Sequence, residues 1–370
     1  MRDAVRPKVK STAPVFRLGD TVHIGGCGVV TDIPDPDGSI HRLLELADGG
    51  RVMSELHAAL AADYSHITMQ DVTDAISEFH DAGFLEDAAV TSEGILDDYS
   101  VRRWDRNLSF FEAYSRFGRD KYRYQRRLQD VRVALLGVGG LGSHLLYDLA
   151  AAGVCDVRIV DYDTVDISNL NRQILYNEAD IGRPKTEVAE EHIRAFSPRL
   201  KVEAVQTRIG SAEDVRRLVQ DRDIVISVVD RPTMSIGLWV NEGCVEANVP
   251  YIAGGVETSR AVYYTVIPGV TGCIECWRMQ VAREDPVSAA LLDEKRRIAF
   301  EGDNAAFGPL VTILTGCMLA EFVRLTTEIA PPVATGRLME IRFDDLSGGQ
   351  VESWDRQDCC PVCAGVRAAA

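Results

Sequence analysis

The chain has 370 residues, 46% of them hydrophobic, and a formal net charge of −16. This length accommodates two or more domains of about 150 residues each, with a sizeable core. The acidic balance excludes a general nucleic-acid binder, which needs a basic face, although local basic clusters still suit phosphates. No apolar stretch of roughly 18 residues suggests a membrane partner. The opening residues Met1 to Pro7 lack the apolar core of a signal peptide, so the expected location is the cytoplasm. Nine cysteines, an odd number with four of them in two C-x-x-C pairs, point to metal ligation in a reducing compartment. The other five, Cys27, Cys155, Cys244, Cys317 and Cys359, read as small buried hydrophobes.

In chain order, Val15–Leu18, Thr21–Ile24 and Gly28–Val30 read as short strands split by Gly and Asp turns. A helix is expected from Arg51 to about Ala62. A second follows Thr68, an N-cap with Asp71 three residues on and Val72, Ala75, Ile76 and Phe79 at helical spacing. Gly83 ends that helix and Phe84-Leu85 starts an apolar return. Residues 1–95 therefore resemble a winged-helix-like module, and its acidic character favours a peptide over DNA as its ligand. Residues 96–130 read as a basic and aromatic connector.

From 131 to 370 the texture is that of an α/β domain with a mostly parallel, Rossmann-like sheet. Strands are expected at 131–136, 157–160, 202–205 and 223–229. Helices are expected at 143–152, 185–196 and from about Ser211. Gly137, Gly139, Gly140 and Gly142 lie between the first of these strands and its helix, where backbone N–H groups can approach phosphate oxygens. Asp161 closes the next strand, about 20 residues on, where a carboxylate can accept ribose hydroxyls. This pair alone suits NAD as well as ATP. The following run, with Asp163, Asn169, Arg172 and Lys185, favours ATP, because adenylation needs fixed cations to neutralise a leaving pyrophosphate.

That run, Asp161 to Gln173 followed by Gly182-Arg183-Pro184-Lys185, resembles the signature of the ubiquitin-activating-like adenylyltransferases, including those of thiamine and molybdopterin pathways. The resemblance covers roughly Arg103 to Cys363. It implies that Asp161 holds the ribose and that Asn169, Arg172 and Lys185 hold the phosphates. It also implies that Asp230, at the end of a strand, binds magnesium. Arg103-Trp104-Asp105-Arg106 resembles the family's arginine-finger element, in which Arg106 reaches the partner's nucleotide site. A homodimer is thereby implied.

Cys273-x-x-Cys276 and Cys360-x-x-Cys363 read as two knuckles of a four-thiolate structural zinc site, with a redox pair as the alternative. The 281–309 stretch holds no cysteine for a thioester, and its charges and Gly302 suggest a mobile lid. With the N-terminal module included, the closest resemblance is to the microcin C-type enzymes that modify ribosomally made peptides. Asp230-Arg231-Pro232, in place of the wider family's Asp-Asn, leans the same way. That resemblance implies ATP, or CTP, as nucleotide and a short precursor peptide as acceptor. Adenylation of a sulfur carrier's Gly-Gly tail and peptide cyclisation are the alternatives.

Overall fold

The computed structural model describes residues 5–26, 29–302 and 305–368, so Cys27 and Gly28 lie outside the described residues. The chain divides into two compact units between Arg127 and Leu128.

The first unit opens with β1 (Pro7–Val9), β2 (Val15–Leu18), β3 (Thr21–Gly26) and β4 (Val29–Pro34). Strands β2, β3 and β4 form an antiparallel sheet. Three helices follow, α1 (Ser39–Leu46), α2 (Met53–Asp63) and α3 (Met69–Asp81), and then β5 (Leu85–Asp87), which pairs antiparallel with β1. Thr68 and Asp71 form a reciprocal capping box at the start of α3, satisfying N–H groups that the helix itself leaves open. At its end Gly83 adopts a φ of 88°, and the Phe84 N–H reaches back to the Phe79 carbonyl, a left-handed stop that glycine makes cheaply. The N-cap residue of helix α1, Gly38, has no side chain to cap it, and Asp37 accepts only the Ser39 N–H, at 3.1 Å. The buried Asp35 carboxylate accepts the next two, the Ile40 and His41 N–H groups, at 3.0 and 3.2 Å. Val22, Ile24, Leu56, Leu60, Val72, Ile76 and Leu85 form the core of this unit. Residues 96–130, read from sequence as a connector, carry α4 (Asp98–Arg103), α5 (Asp105–Tyr114) and α6 (Lys121–Asp130).

The second unit alternates β6 (Arg132–Leu136), α7 (Gly140–Ala152), β7 (Asp156–Asp161), α8 (Lys185–Phe196), β8 (Lys201–Gln206), α9 (Ala212–Val219) and β9 (Ile224–Ser227). It continues through α10 (Ile236–Glu246), β10 (Tyr251–Val256), β11 (Arg260–Val266), α11 (Ile274–Glu284), α12 (Pro286–Arg297), α13 (Gly308–Thr327), β12 (Arg337–Arg342) and β13 (Gly348–Ser353). The sheet order is β13-β12-β11-β10-β9-β6-β7-β8. Strands β6 to β10 run parallel, and β11 to β13 extend the sheet antiparallel. The near-continuous apolar runs of the central strands β6 and β9 follow from burial on both faces. Strand β6 has β7 on one side and β9 on the other. The chain therefore reverses direction across the sheet there, and the crevice beyond the carboxyl ends of β6 and β9 is where such sheets take ligands.

One expectation needs correction. Helix α13 is long and apolar enough, by length and composition, to cross a membrane. In the fold it packs on α7, β10 and β11 with Leu314, Met318 and Phe322 buried, as the core helix of an α/β layer. Within the stretch read from sequence as a mobile lid, α11 continues to Glu284 and α12 covers Pro286–Arg297, started by Pro286 with Asp285 as its cap. Of the non-knuckle cysteines, Cys244 is buried, Cys155 and Cys317 are half-buried, and Cys359 is exposed.

Candidate active site

A cavity of about 500 Å³ opens at the reversal point. Gly137, Gly139, Gly140, Asp161, Asp163, Asn169, Arg172, Lys185 and Asp230 all line it. Gly142 does not. A Cβ there would lie 2.0 Å from the Gly137 carbonyl oxygen, so this glycine serves the packing of α7 on the loop, not the cavity. Gly137 takes a φ of 93° against Val228 and Val229, a left-handed turn that suits glycine. At Gly139 and Gly140 the nearest neighbours of an added Cβ are the Gln173 and Arg172 side chains, at 3.7 and 3.4 Å. These two positions leave room for a ligand at the start of α7.

Asp161 ends β7 with its carboxylate held on both sides. One oxygen accepts the Val138 N–H and the other the Asp163 N–H, each at 2.9 Å. Each oxygen keeps a second lone pair for an incoming hydroxyl. The Tyr176 hydroxyl donates to the Val138 carbonyl at 2.7 Å, fixing the same loop from the other side. Burial holds this phenol far above its usual range, so it stays a donor.

The cations stand just after a short 3-10 turn and on α8. Asp166 caps the turn Ile167–Asn169, and the Asn169 side chain accepts the Asp166 N–H at 3.1 Å. Arg172 donates to the Ser168 carbonyl at 3.1 Å and to Asn171 at 2.9 Å. Lys185 is buried, and its ammonium lies 3.1 Å from the Asp163 carboxylate. The pair keeps the charge compensated in the free protein. Gln173, read in the sequence only as part of the run, also lines the cavity. It is 3% exposed, and its Oε1 finds no hydrogen-bond partner among the described residues. A buried orphan acceptor costs about 1–3 kcal/mol. Lining a cavity, it marks a place where a ligand donor is accommodated.

Asp230 follows β9 and is exposed at the cavity wall. Next to it, Arg231 pairs with Glu301 and donates to the Gly302 carbonyl at 2.8 Å. Glu301 also accepts the Thr233 N–H at 3.2 Å and the Thr233 hydroxyl at 2.8 Å. The Thr233 and Arg231 hydrogen bonds hold the Glu301 carboxyl below its usual range. Sequence reading missed this contact, which joins residues about 70 positions apart. The expected finger, Arg106, belongs to the first unit, on α5, with its side chain 93% exposed and its Nε 3.8 Å from the Asp105 carboxylate.

The four knuckle cysteines come together, all buried, with their sulfurs within 4.8 Å of one another. Sulfur separations of 3.9, 3.7 and 3.3 Å bracket the ~3.8 Å edge of a tetrahedron built on metal–thiolate bonds of about 2.3 Å. The donor set fits a metal ion. The Gln357 N–H donates to the Cys276 sulfur at 3.4 Å, the kind of outer contact that orients a ligand.

The ThiF family profile matches residues 106–362. The chain belongs to the ThiF family. It is 31% identical over 245 residues to the sulfur carrier protein adenylyltransferase of Thermus thermophilus, a match covering 65% of this chain and 84% of that one. It is 30% identical over 247 residues to the ThiS adenylyltransferase of Escherichia coli, covering 66% and 90%. With these relatives and the cavity above, this ThiF-family chain is an adenylyltransferase. Its fold is that of Escherichia coli MccB, with a TM-score of 0.79 and 22% identity, covering 97% of each chain.

Proposed function

We propose that this enzyme uses ATP to adenylate the C-terminus of a short, ribosomally made peptide, as in microcin C-type nucleotidyl transfer. The observation that carries this reading is the fold likeness to MccB, which extends over both units, whereas the family match begins at residue 106. MccB itself has been crystallised with ATP and with MccA. The first unit, read as a winged-helix-like clamp, offers Phe16 and Val30 exposed on one face of its sheet, apolar surface of the kind peptides cover.

In the proposed reaction an oxygen of the acceptor carboxylate bonds to the α-phosphorus of ATP. The bond from that phosphorus to its bridging oxygen breaks, and the electron pair leaves with pyrophosphate. Arg172, Lys185 and Asn169 hold the phosphates against the start of α7, and Asp161 orients the ribose. Asp230 would hold magnesium, which neutralises charge on the departing pyrophosphate. The four cysteines would hold zinc in a structural role, since four thiolates leave no open position. Arg106 would act across a homodimer. Mixing Arg106→Ala with Asp230→Ala subunits should then restore activity that neither has alone, and failure of that rescue removes the finger.

The test is incubation with ATP, magnesium and the short peptide encoded beside the gene, read by mass spectrometry. An added nucleotide, or lost water on cyclisation, supports the reading; an unchanged peptide defeats it. Replacing ATP by CTP identifies the nucleotide. A second reading, adenylation of a sulfur carrier's Gly-Gly tail, is favoured by the sequence relatives. Pyrophosphate release with such a carrier, and none with the peptide, would select it.

A further inference from the structure

Arg231 and Thr233 present three kinds of donor to one carboxylate: a guanidinium, a backbone N–H and a hydroxyl. Their occupant is Glu301, which arrives from about 70 residues along the chain just beyond α12. The set stands directly after Asp230, and Arg231 itself lines the cavity. A place that satisfies a carboxylate with one guanidinium N–H and two further donors is a carboxylate receptor by its chemistry. Arg172 and Lys185, the cations facing the glycine loop and Asp163, suit phosphate; Arg231 follows the carboxyl end of β9, on the other side of β6 from the loop after β7 that carries Arg172.

We propose that Arg231 and Thr233 bind the acceptor's carboxylate, and that Glu301 occupies this receptor in the free enzyme. The inference rests on the adenylation reading above and names the group the site recognises. Glu301 is an internal competitor, present at the high effective concentration that a tether confers. When the acceptor enters, its carboxylate displaces Glu301, and the segment beyond α12 loses its tie to Thr233. Once the acyl adenylate forms, the acceptor no longer carries a carboxylate charge. Arg231 is then returned to Glu301 and the product is no longer held there. Arg231 is thus a specificity-determining residue for a free C-terminal carboxylate.

The test has two arms on the full-length protein. In the first, trypsin nicking after Lys295, Arg296 and Arg297 is followed by mass spectrometry without any acceptor. Arg231→Ala and Glu301→Gln should both nick several-fold faster than wild type, and the exchanged pair Arg231→Glu with Glu301→Arg should return toward it. Equal rates in all four proteins overturn the proposal. In the second, acceptor-dependent pyrophosphate exchange is measured with the neighbouring-gene peptide. Arg231→Ala should raise the acceptor KM about tenfold or more with the ATP KM unchanged. Arg231→Lys should recover part of it, and Glu301→Gln should lower the acceptor KM. An equal rise in the ATP KM would make Arg231 a phosphate ligand and overturn the proposal. No exchange by the wild type counts against the peptide reading instead, and the nicking comparison still decides the latch.

Discussion

The Asp161 carboxylate accepts the Val138 N–H at 2.9 Å, tying the end of β7 to the glycine loop that leaves β6. The residue proposed to hold the ribose is therefore also a strut of the loop proposed to hold the phosphates. Asp161→Ala should weaken ATP binding at least tenfold by calorimetry. It should also cost about 1–3 kcal/mol in a denaturant melt, since the Val138 and Asp163 N–H groups lose their acceptor. Unchanged ATP affinity would remove Asp161 from the nucleotide site.

The glycines of the loop should separate by substitution. Gly142→Ala places a methyl 2.0 Å from the Gly137 carbonyl oxygen, and its cost should appear in stability, at about 2 kcal/mol or more. Gly139→Ala meets only Gln173, at 3.7 Å. It should melt like the wild type and lose ATP affinity. Thermal melts with and without ATP distinguish the two, and the reverse pattern would refute the assignment.

This contrast also marks what the sequence made legible. The glycine loop, Asp161 and the turn carrying Asn169 and Arg172 are local devices, built from residues within a few positions of one another, so their spacing betrays them. The C-x-x-C pairs are local too, although 87 positions separate the sulfurs that meet. Helix α1 escaped because its cap, Asp35, stands outside the usual N-cap position. Gln173, Tyr176 and the Arg231–Glu301 pair escaped because their meaning lies in burial and in partners distant along the chain. The antiparallel strands β11 to β13 carry no motif, and their pairing emerges only in the folded sheet.

The first unit contains a half-buried cluster of charges around Lys121. Lys121 lies 2.7 Å from Glu112 and 3.1 Å from Glu86, and Ser11 donates to Glu112 as well. Burial pushes the Glu112 carboxyl up, but the Lys121 and Ser11 hydrogen bonds outweigh it, and the group ionises below the usual 4.5. A carboxyl depressed on folding contributes stability that is full above its unfolded pKa and is lost as pH falls through the folded value. Melts between pH 7 and pH 3 should therefore show stability falling below about pH 4.5, with a shallower fall in Glu112→Gln. Parallel slopes for the two proteins would contradict this.

The cysteine cluster belongs to the same buried core as Tyr251 and Trp354, so loss of a ligand should propagate into the sheet. Cys276→Ser should lower stability by more than about 4 kcal/mol. Chelation should lower the Tm of the wild type, and metal analysis should return one zinc per chain. An unchanged melt after metal removal would rule out a structural ion.

The central claim is adenylation at Asp161, Lys185 and Asp230, with a peptide as acceptor. Its most direct measurement is exchange of labelled pyrophosphate into ATP in the presence of magnesium, with and without the neighbouring-gene peptide. The account predicts exchange that requires the peptide and falls at least a hundredfold in Asp230→Ala, while that variant keeps its fold. Exchange that ignores the peptide, or that survives in Asp230→Ala, would contradict it.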